Sequence, residues 1–343
     1  MRPLLAAFAA LALAACFNAP RYDGPPVAGF DGKRFSNLAP YRQKDLADLI
    51  EWKLECGAAP WPDFVERAEG PRPPARVRRG IRIQMVNHAT VLIQMDGLNI
   101  LSDPIWSERA SPFSFVGPAR HKAPGIAIEH LPHIDLIVVS HNHYDHMDVP
   151  TLRLVSERDA PVVFAGLGNA KLLRDEGISG ARDLGWWDWA RVGEIDVWFT
   201  PAQHWSARGA SDAMGTLWGS FYFKGVSGSV YFAGDTAAGP HFKMIRDHLG
   251  PPTIALLPIG AYEPRHFMAQ QHLNPPDAVR AHLTLGSTQS FGIHWGTFSL
   301  TDEGMNAPKM DLMMAGTFAG LHRGAFVALE NGDAYISRDA ATE

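Results

Sequence analysis

The stretch 134–146 constrains this chain more than any other, because it joins an apolar run to a dense group of metal-binding side chains. The run predicts a buried strand, and His141, His143, Asp145 and His146 follow within six positions at its expected end. Imidazole and carboxylate groups suit zinc or a similar divalent ion. A catalytic zinc ion takes three protein ligands, so four in one loop predict two metal ions that need further ligands from elsewhere. The alternative interpretation is a solvated turn that is rich in histidine.

Length and charge limit the kinds of protein that this chain can be. Its 343 residues, 46% of them hydrophobic, can bury a large core, and we favour one large domain over two ordinary ones. The formal net charge of −5 offers no general basic surface, so we expect no nucleic-acid partner. Only two cysteines occur, Cys16 and Cys56, which excludes a disulfide framework.

The first residues have the pattern of an export signal. A charged start precedes an apolar, alanine-rich run that is too short to span a bilayer. Residues 13–16, Leu-Ala-Ala-Cys, resemble the cleavage box of bacterial lipoproteins, in which the cysteine becomes diacylated. We therefore expect residues 1–15 to be a lipoprotein signal peptide and Cys16 to be lipidated; the alternative is an ordinary cleaved signal peptide. Because Phe17 rather than Asp follows, the expected location is the bacterial cell envelope, as an outer-membrane lipoprotein at the periplasmic face.

Residues 16–75 are predicted to form an N-terminal tether and arm ahead of a catalytic domain at 76–343. Several Gly and Pro residues and little periodicity mark the beginning of the arm. Apolar spacing predicts an amphipathic helix over 38–56, with Leu49 and Ile50 among the residues at helical spacing. Prolines then interrupt the chain before the domain begins.

From residue 81 the pattern changes to short strands separated by turns, and Asp96-Gly97 is a hairpin signal. Asp103 lies at a strand end, where it is predicted either to orient a ligand histidine or to cap a turn. His88 is equally ambiguous, and we do not assign it as a ligand. After the central stretch, alternating helices and strands indicate helices that cover a sheet.

Three later strand ends repeat the pattern of the central stretch. The predicted strands are followed in turn by His204, Asp235 and His294. Gly234 lets the backbone turn tightly and is expected to leave Asp235 exposed. Each of the three has an alternative interpretation as an ordinary loop residue. Their common position predicts that they converge with the central group.

The H-x-H-x-D-H spacing and the order of these seven residues resemble the dinuclear zinc site of the metallo-β-lactamase superfamily. The resemblance implies an α/β fold, an αββα sandwich, and a cofactor of two zinc ions. In that arrangement His141, His143 and His204 hold the first ion, Asp145, His146 and His294 hold the second, and Asp235 bridges the pair.

Longer segments are similar to the N-acylphosphatidylethanolamine-hydrolysing phospholipase D family of that superfamily. These segments are 30–35, 87–94, 203–205, 258–265 and 294–298. The similarity implies a zinc-dependent phosphodiesterase that hydrolyses N-acylphosphatidylethanolamine to N-acylethanolamine and phosphatidic acid. It also implies that Tyr144, Arg208 and Gln271 contact the lipid head group. His272 and Glu263 are weaker candidates, which we leave out of the site.

The expected mechanism uses water activated by the metal pair. Two closely spaced zinc ions can lower the pKa of a shared water to about 7, so a metal-bridged hydroxide is the expected nucleophile. Asp145 is a ligand that would also orient or deprotonate this water. Arg208 is the natural phosphate partner because its planar guanidinium matches oxyanion geometry; the alternative is a surface charge. The long loop 105–130, with several aromatic residues, is expected to line a pocket. Its part from Trp106 to Phe115 and the N-terminal arm are the surfaces expected to receive acyl chains.

Two other functions remain open at this stage. A lactonase or β-lactamase-like hydrolase could use the same metals, because a fold does not determine a substrate. A metal-binding envelope protein without turnover is the non-enzymatic alternative. The expected partners are a phospholipid substrate and a membrane surface reached through the N-terminal lipid anchor, and a homodimer is left open.

Overall fold

The computed structural model describes residues 18–55, 57–337 and 340–342. The predicted signal peptide, the predicted lipidation site Cys16 and the second cysteine, Cys56, lie outside the described residues. Within those ranges, no helix has the length and apolar character needed to cross a membrane.

The strands of the described residues form two large sheets and one small pair. In chain order they are Val77–Arg79 (β1), Ile81–Asn87 (β2), Thr90–Met95 (β3), Leu98–Ser102 (β4), Leu136–Val139 (β5), Val162–Gly166 (β6), Ala181–Leu184 (β7), Trp189–Val192 (β8), Ile195–Thr200 (β9), Ser220–Gly225 (β10), Gly228–Phe232 (β11), Ile254–Pro258 (β12), Gln289–Ile293 (β13), Phe326–Ala328 (β14), Ala334–Ile336 (β15) and Ala341–Thr342 (β16).

The first sheet has the strand order β15-β2-β3-β4-β5-β6-β7. Strands β2, β3 and β4 form an antiparallel meander, and β4 to β7 run parallel to one another. The predicted hairpin between β3 and β4 is confirmed, because Asp96 and Gly97 both have positive φ angles, as a type I′ turn requires. The C-terminal strand β15 returns to pair with β2.

The second sheet has the order β14-β13-β12-β11-β10-β9-β8. Strand β10 is antiparallel to both β9 and β11, and β11 to β14 run parallel. Strands β9, β11 and β13 therefore point the same way, and their carboxyl ends lie at one edge of the sheet. The small pair joins β1 to β16 near the two ends of the domain.

The helices of the described residues lie around the two sheets. They are Leu46–Leu54 (α1), Val149–Asp159 (α2), Asn169–Asp175 (α3), His241–Leu249 (α4), Arg265–Met268 (α5), Pro275–Leu285 (α6) and Ala307–Phe318 (α7), with a short 3-10 helix at Ile128–His130.

Three apolar layers hold the sheets and helices together. The inner layer contains residues of both sheets, such as Val138 and Phe232, so the sheets pack face to face. A second layer lies between the first sheet and helices α2 and α3. A third lies between the second sheet and helices α4, α6 and α7. The predicted αββα sandwich is therefore confirmed.

The N-terminal arm differs from its prediction in two ways. The helix is only Leu46–Leu54, because Asp45, whose own backbone is extended, forms a capping box at its start. Among the side chains of this helix that the structure describes, Trp52 is buried and packs on Phe267, whereas Leu49 and Ile50 are 41% and 52% exposed. The earlier part, which the sequence predicts as an extended tether or a surface arm, is attached to the catalytic domain by hydrogen bonds from Ala19 onward.

Candidate metal centre

The candidate metal centre lies where strand ends of the two sheets meet. Strand β5 of the first sheet delivers residues 141–146, and β9, β11 and β13 of the second sheet lead to His204, Asp235 and His294. Close approach is possible because Gly234 has no side chain: a Cβ there would lie 2.4 Å from the Cβ of Ser140. The structure therefore brings all seven predicted ligands together.

His141, His143 and His204 form the first ligand group. Nδ1 of His143 lies 2.7 Å from Nε2 of His141 and 3.4 Å from Nε2 of His204. Burial lowers the pKa of all three imidazoles, to about 3 for His143 and about 4 for His204. These histidines are therefore neutral near pH 7, which is the form that binds metal.

Asp145, His146 and His294 form the second ligand group, together with Asp235. Nε2 of His146 lies 3.3 Å from Oδ2 of Asp145 and 3.3 Å from Oδ2 of Asp235. Nε2 of His294 lies 3.2 Å from each of the same two oxygens. Ligand atoms at about 2.0–2.1 Å from a tetrahedral zinc ion lie roughly 3.3 Å from one another. These spacings fit one zinc ion.

Asp235 connects the two groups. Its Oδ2 lies 3.8 Å from Nε2 of His204 in the first group and 3.2–3.3 Å from the histidines of the second. Its Oδ1 is buried and has no hydrogen-bond partner among the described residues. The expectation that Asp235 is exposed is wrong, because the tight turn at Gly234 directs it inward, where it is 3% exposed. This position suits a carboxylate shared by two cations.

The second group is electrostatically balanced. Burial alone would lower the pKa of His146 and His294, but the carboxylates of Asp235 and Asp145 outweigh burial and raise both, that of His294 to about 9. Burial would raise the pKa values of the Asp145 and Asp235 carboxyls, but the neighbouring histidines hold both values well below the usual one. A divalent cation offers the same compensation as these protons, so metal binding here is coupled to proton release.

Neighbouring groups fix the orientation of the ligand rings. Nδ1 of His146 lies 2.6 Å from Oδ2 of Asp103, which also accepts a hydrogen bond from the hydroxyl of Ser140. Of the two predicted roles of Asp103, the geometry matches orientation of a ligand histidine. His204 donates from Nδ1 to the carbonyl of Gln271 at 2.8 Å. Such contacts leave Nε2 of both ligands free for metal.

Two buried histidines at the centre were not predicted as part of the site. His88, which follows β2, places Nε2 2.9 Å from Oδ2 of Asp145 and its ring 3.9 Å from that of His294. His272 places Nδ1 3.7 Å from Oδ2 of Asp235. A signal for His88 was present in the sequence, because it follows a predicted strand. Since β2 runs in the same direction as β4 and β5, its end lies at the same edge of the sheet as residues 141–146.

The predicted head-group residues lie in different environments. Arg208 is half-buried, and its guanidinium donates to the carbonyls of Asn142 and Met147 at 3.0 and 2.9 Å and lies 4.0 Å from the ring centre of Tyr144. Arg208 and Tyr144 thus support the metal-binding loop from outside the cavity described next. Gln271 lines that cavity.

A cavity of about 760 Å³ opens directly onto the metal centre. His143, Asp145 and Asp235 lie in its wall, which shows that both ligand groups are accessible from it. The N-terminal arm forms another wall, and none of the loop 105–130 contributes, contrary to the prediction. The arm supplies Arg34, Tyr41, Gln43, Lys44, Asp45, Leu49 and Trp52.

Comparisons with known proteins agree with this geometry. Residues 98–295 match the model of the beta-lactamase superfamily domain. The chain is 38% identical over 232 residues to "N-acyl-phosphatidylethanolamine-hydrolyzing phospholipase D 1" of Caenorhabditis elegans, which covers 64% of this chain and 65% of that protein. It is 31% identical over 227 residues to a "UPF0173 metal-dependent hydrolase" of Rubrobacter xylanophilus, covering 64% of this chain and 83% of the relative.

A solved structure has the same fold. The possible metal-dependent hydrolase of Veillonella parvula aligns with a TM-score of 0.60 at 15% identity, covering 75% of this chain and 99% of the other. The fold, the matched family model and the relatives lead to one assignment. The chain belongs to the beta-lactamase superfamily, and it is a metal-dependent hydrolase of that superfamily.

Proposed function

We propose that this hydrolase is a zinc-dependent phosphodiesterase of the phospholipase D type, which converts N-acylphosphatidylethanolamine to N-acylethanolamine and phosphatidic acid. The observation that carries the proposal is the pair of ligand groups that share Asp235 at the wall of the 760 Å³ cavity. The likeness to the Caenorhabditis elegans phospholipase supports this substrate class.

The chemistry of the donor set fits two zinc ions. We assign the first ion to His141, His143 and His204, the second to Asp145, His146 and His294, and a shared position to Asp235. Bound zinc would supply an activated water and positive charge against the phosphate.

Asp145 is the group that we assign to proton transfer. All of its hydrogen bonds to described residues go to Oδ2, from His88 and His294. Its carboxylate lines the cavity, so Oδ1 is available to accept the proton that the attacking water loses. The water oxygen would bond to phosphorus while the bond to the ethanolamine oxygen breaks, and that oxygen takes up a proton.

The cavity also offers groups that suit an acylated phospholipid. Arg34, Lys44 and Gln271 are polar groups of its wall that we assign to the head group. The two cations would take the role of phosphate partner that was predicted for Arg208. Apolar side chains suited to acyl chains are Trp52, Phe267, Met268 and Leu300.

Product analysis in isotopically labelled water tests the proposal. The zinc-loaded protein is incubated with N-acylphosphatidylethanolamine, and mass spectrometry should find the label in phosphatidic acid. Label in an acylethanolamine phosphate, with free diacylglycerol, would mean that the other phosphoester bond is cut. Absence of lipid turnover together with opening of a lactone would support the lactonase or β-lactamase-like alternative.

Matched variants test the role of Asp145 as proton acceptor, with zinc saturating because Asp145 is also assigned as a ligand. Asp145→Asn keeps the shape of the side chain but lowers its basicity, so turnover should fall at least about 100-fold. Asp45→Asn is the control, because Asp45 is an exposed acid of the same cavity and Asn caps a helix about as well as Asp. Similar losses in both variants would remove Asp145 from this role.

A further inference from the structure

Asn37 of the N-terminal arm contacts the main chain of a predicted metal ligand. Its Nδ2 donates to the carbonyl of His204 at 2.6 Å, and its Oδ1 accepts from the amide of His204 at 2.9 Å. The two residues are 167 positions apart, so this is a tertiary contact and not a local turn. One carboxamide thus satisfies both backbone polar groups of a ligand residue.

A reciprocal contact joins the neighbouring residues. The side chain of Gln203 accepts from the amide of Ala39 at 3.1 Å and donates to its carbonyl at 3.2 Å. Four hydrogen bonds therefore connect residues 37–39 to residues 203–204. Only the two from Asn37 reach the main chain of the ligand.

These contacts restrict His204 at both ends. The ring is held at Nδ1 by the carbonyl of Gln271, and the backbone is held by Asn37. With both ends fixed, Nε2 has a single direction, towards Nδ1 of His143 and Oδ2 of Asp235. Preorganised ligands bind metal more tightly, because less conformational freedom is lost on binding.

We propose that Asn37 is a positioning residue of the first zinc site, so that the N-terminal arm is a structural part of the metal centre. The inference rests on the zinc centre proposed above but needs no substrate. By linkage, an arm that strengthens zinc binding is itself held more tightly when zinc is bound.

Zinc affinity of matched variants tests this inference. Asn37→Ala removes both bonds to His204, and Asn37→Asp keeps the acceptor but loses the donor. Gln203→Ala is the comparison variant, since it removes two bonds between the same segments and none to the main chain of His204. Ser36→Ala is the control, because among the described residues its hydroxyl bonds only to Gly29, within the arm. Titration against a competing chelator gives the affinity of each of the two zinc-binding steps. The step that is lost in His143→Ala identifies the first site.

Asn37→Ala should weaken the first zinc step roughly 10-fold and leave the second near wild type. Asn37→Asp should lie between Asn37→Ala and wild type, and Ser36→Ala should equal wild type. The melting temperature without zinc should fall equally in Asn37→Ala and Gln203→Ala, because each variant loses two hydrogen bonds between the arm and the catalytic domain. A weaker first zinc step in Asn37→Ala alone would then reflect the position of His204 and not the attachment of the arm.

The inference is overturned if the first step is unchanged in Asn37→Ala, or if Gln203→Ala weakens it as much. Should Asn37→Ala fail to fold, Asn37→Asp decides, and a wild-type first step there overturns the inference. Wild-type protein that binds no zinc overturns it as well. Wild-type protein that binds zinc without cutting the lipid affects only the proposed function.

Discussion

At the scale of single residues, Asp235 has the strongest effect on the centre because one of its oxygens approaches histidines of both ligand groups. Tyr144 directly precedes the predicted ligand Asp145 in the sequence but has a different part in the structure. Its ring stacks under Arg208, and its buried hydroxyl has no hydrogen-bond partner within the described ranges.

These environments predict unequal effects of two substitutions. Asp235→Ala should lower zinc content and reduce turnover by more than the roughly 10–100-fold typical of changes around a metal site, because two cations would lose their shared carboxylate. Tyr144→Phe keeps the ring under Arg208 and should retain zinc. Metal analysis and rates on both proteins give the comparison, and equal losses would argue against a shared carboxylate.

The sequence predicted that the seven proposed ligands converge because each follows a strand, and the ends of strands can be recognised in a single sequence. It could not predict that Arg208 turns towards the loop carbonyls and not the cavity, because that direction depends on how Tyr144 packs. His88 was missed for a related reason: its distance from Asp145 exists only after β2 and β5 join one sheet.

At the scale of elements, the loop that carries the central motif depends on support from a second loop. Arg208 bridges the carbonyls of Asn142 and Met147, which lie on either side of the ligands His143, Asp145 and His146. A planar guanidinium can hold both carbonyls and stack on an aromatic ring, whereas the point charge of lysine cannot.

Arg208→Lys should therefore destabilise the protein by about 1–3 kcal/mol and weaken zinc binding about 10-fold. With zinc saturating, KM for the phospholipid should stay near wild type. Denaturant unfolding, zinc titration and kinetics measure the three quantities. A raised KM with unchanged zinc affinity would instead support the direct phosphate contact implied by the sequence.

A second connection between elements passes through Glu330, which lies between β14 and β15. It accepts from Lys122 at 2.9 Å and from Lys309 of α7 at 2.7 Å. Burial would raise the pKa of Glu330, but the two lysines outweigh burial and lower it below its usual 4.5. A lowered carboxyl pKa stabilises the fold above pH 4.5, and this contribution is lost as the pH falls through the folded-state pKa.

Glu330→Gln should accordingly cost about 1–3 kcal/mol of unfolding free energy at neutral pH, and the difference from wild type should shrink in acid. Urea unfolding at about pH 7 and about pH 4 measures both values. The control is Glu176→Gln, which breaks a more exposed pair with Arg153 and should cost at most about 1 kcal/mol. A pH-independent difference would show that charge is not the cause.

Strands were easier to predict than the arm helix. Alternating or continuous apolar runs in the sequence were sufficient to predict strands β2 to β6, β9, β11 and β13. In the arm, the apolar spacing suggested a longer helix, but the start depends on the capping box of Asp45 and the buried face on where Phe267 lies. Tertiary contacts of this kind produce no periodic pattern of apolar residues in the sequence.

At the scale of the whole molecule, the proposed substrate and the proposed anchor belong together. We propose that lipidation of Cys16 holds the protein at the outer membrane, so that the enzyme meets a phospholipid without extracting it into water. Each buried methylene contributes about 0.8 kcal/mol, and two or more acyl chains anchor a protein stably.

Cys16→Ala should move the protein from the membrane fraction to the soluble fraction. Cys56→Ala is the matched control, because it removes the only other cysteine and should leave the protein with the membrane. Fractionation followed by immunodetection measures both. If Cys16→Ala stays with the membrane to the same extent, the attachment has another cause.

The ligand groups have one more consequence for the whole molecule, because each takes residues from both sheets. His141 and His143 come from the first sheet and His204 from the second; the other group divides in the same way. A chain whose sheets have not docked can present only part of either group, so tight metal binding must follow tertiary assembly. The metal content of a freshly purified batch would then measure the fraction of correctly assembled molecules. Removal of the metal by a chelator would first weaken the contact between the two sheets.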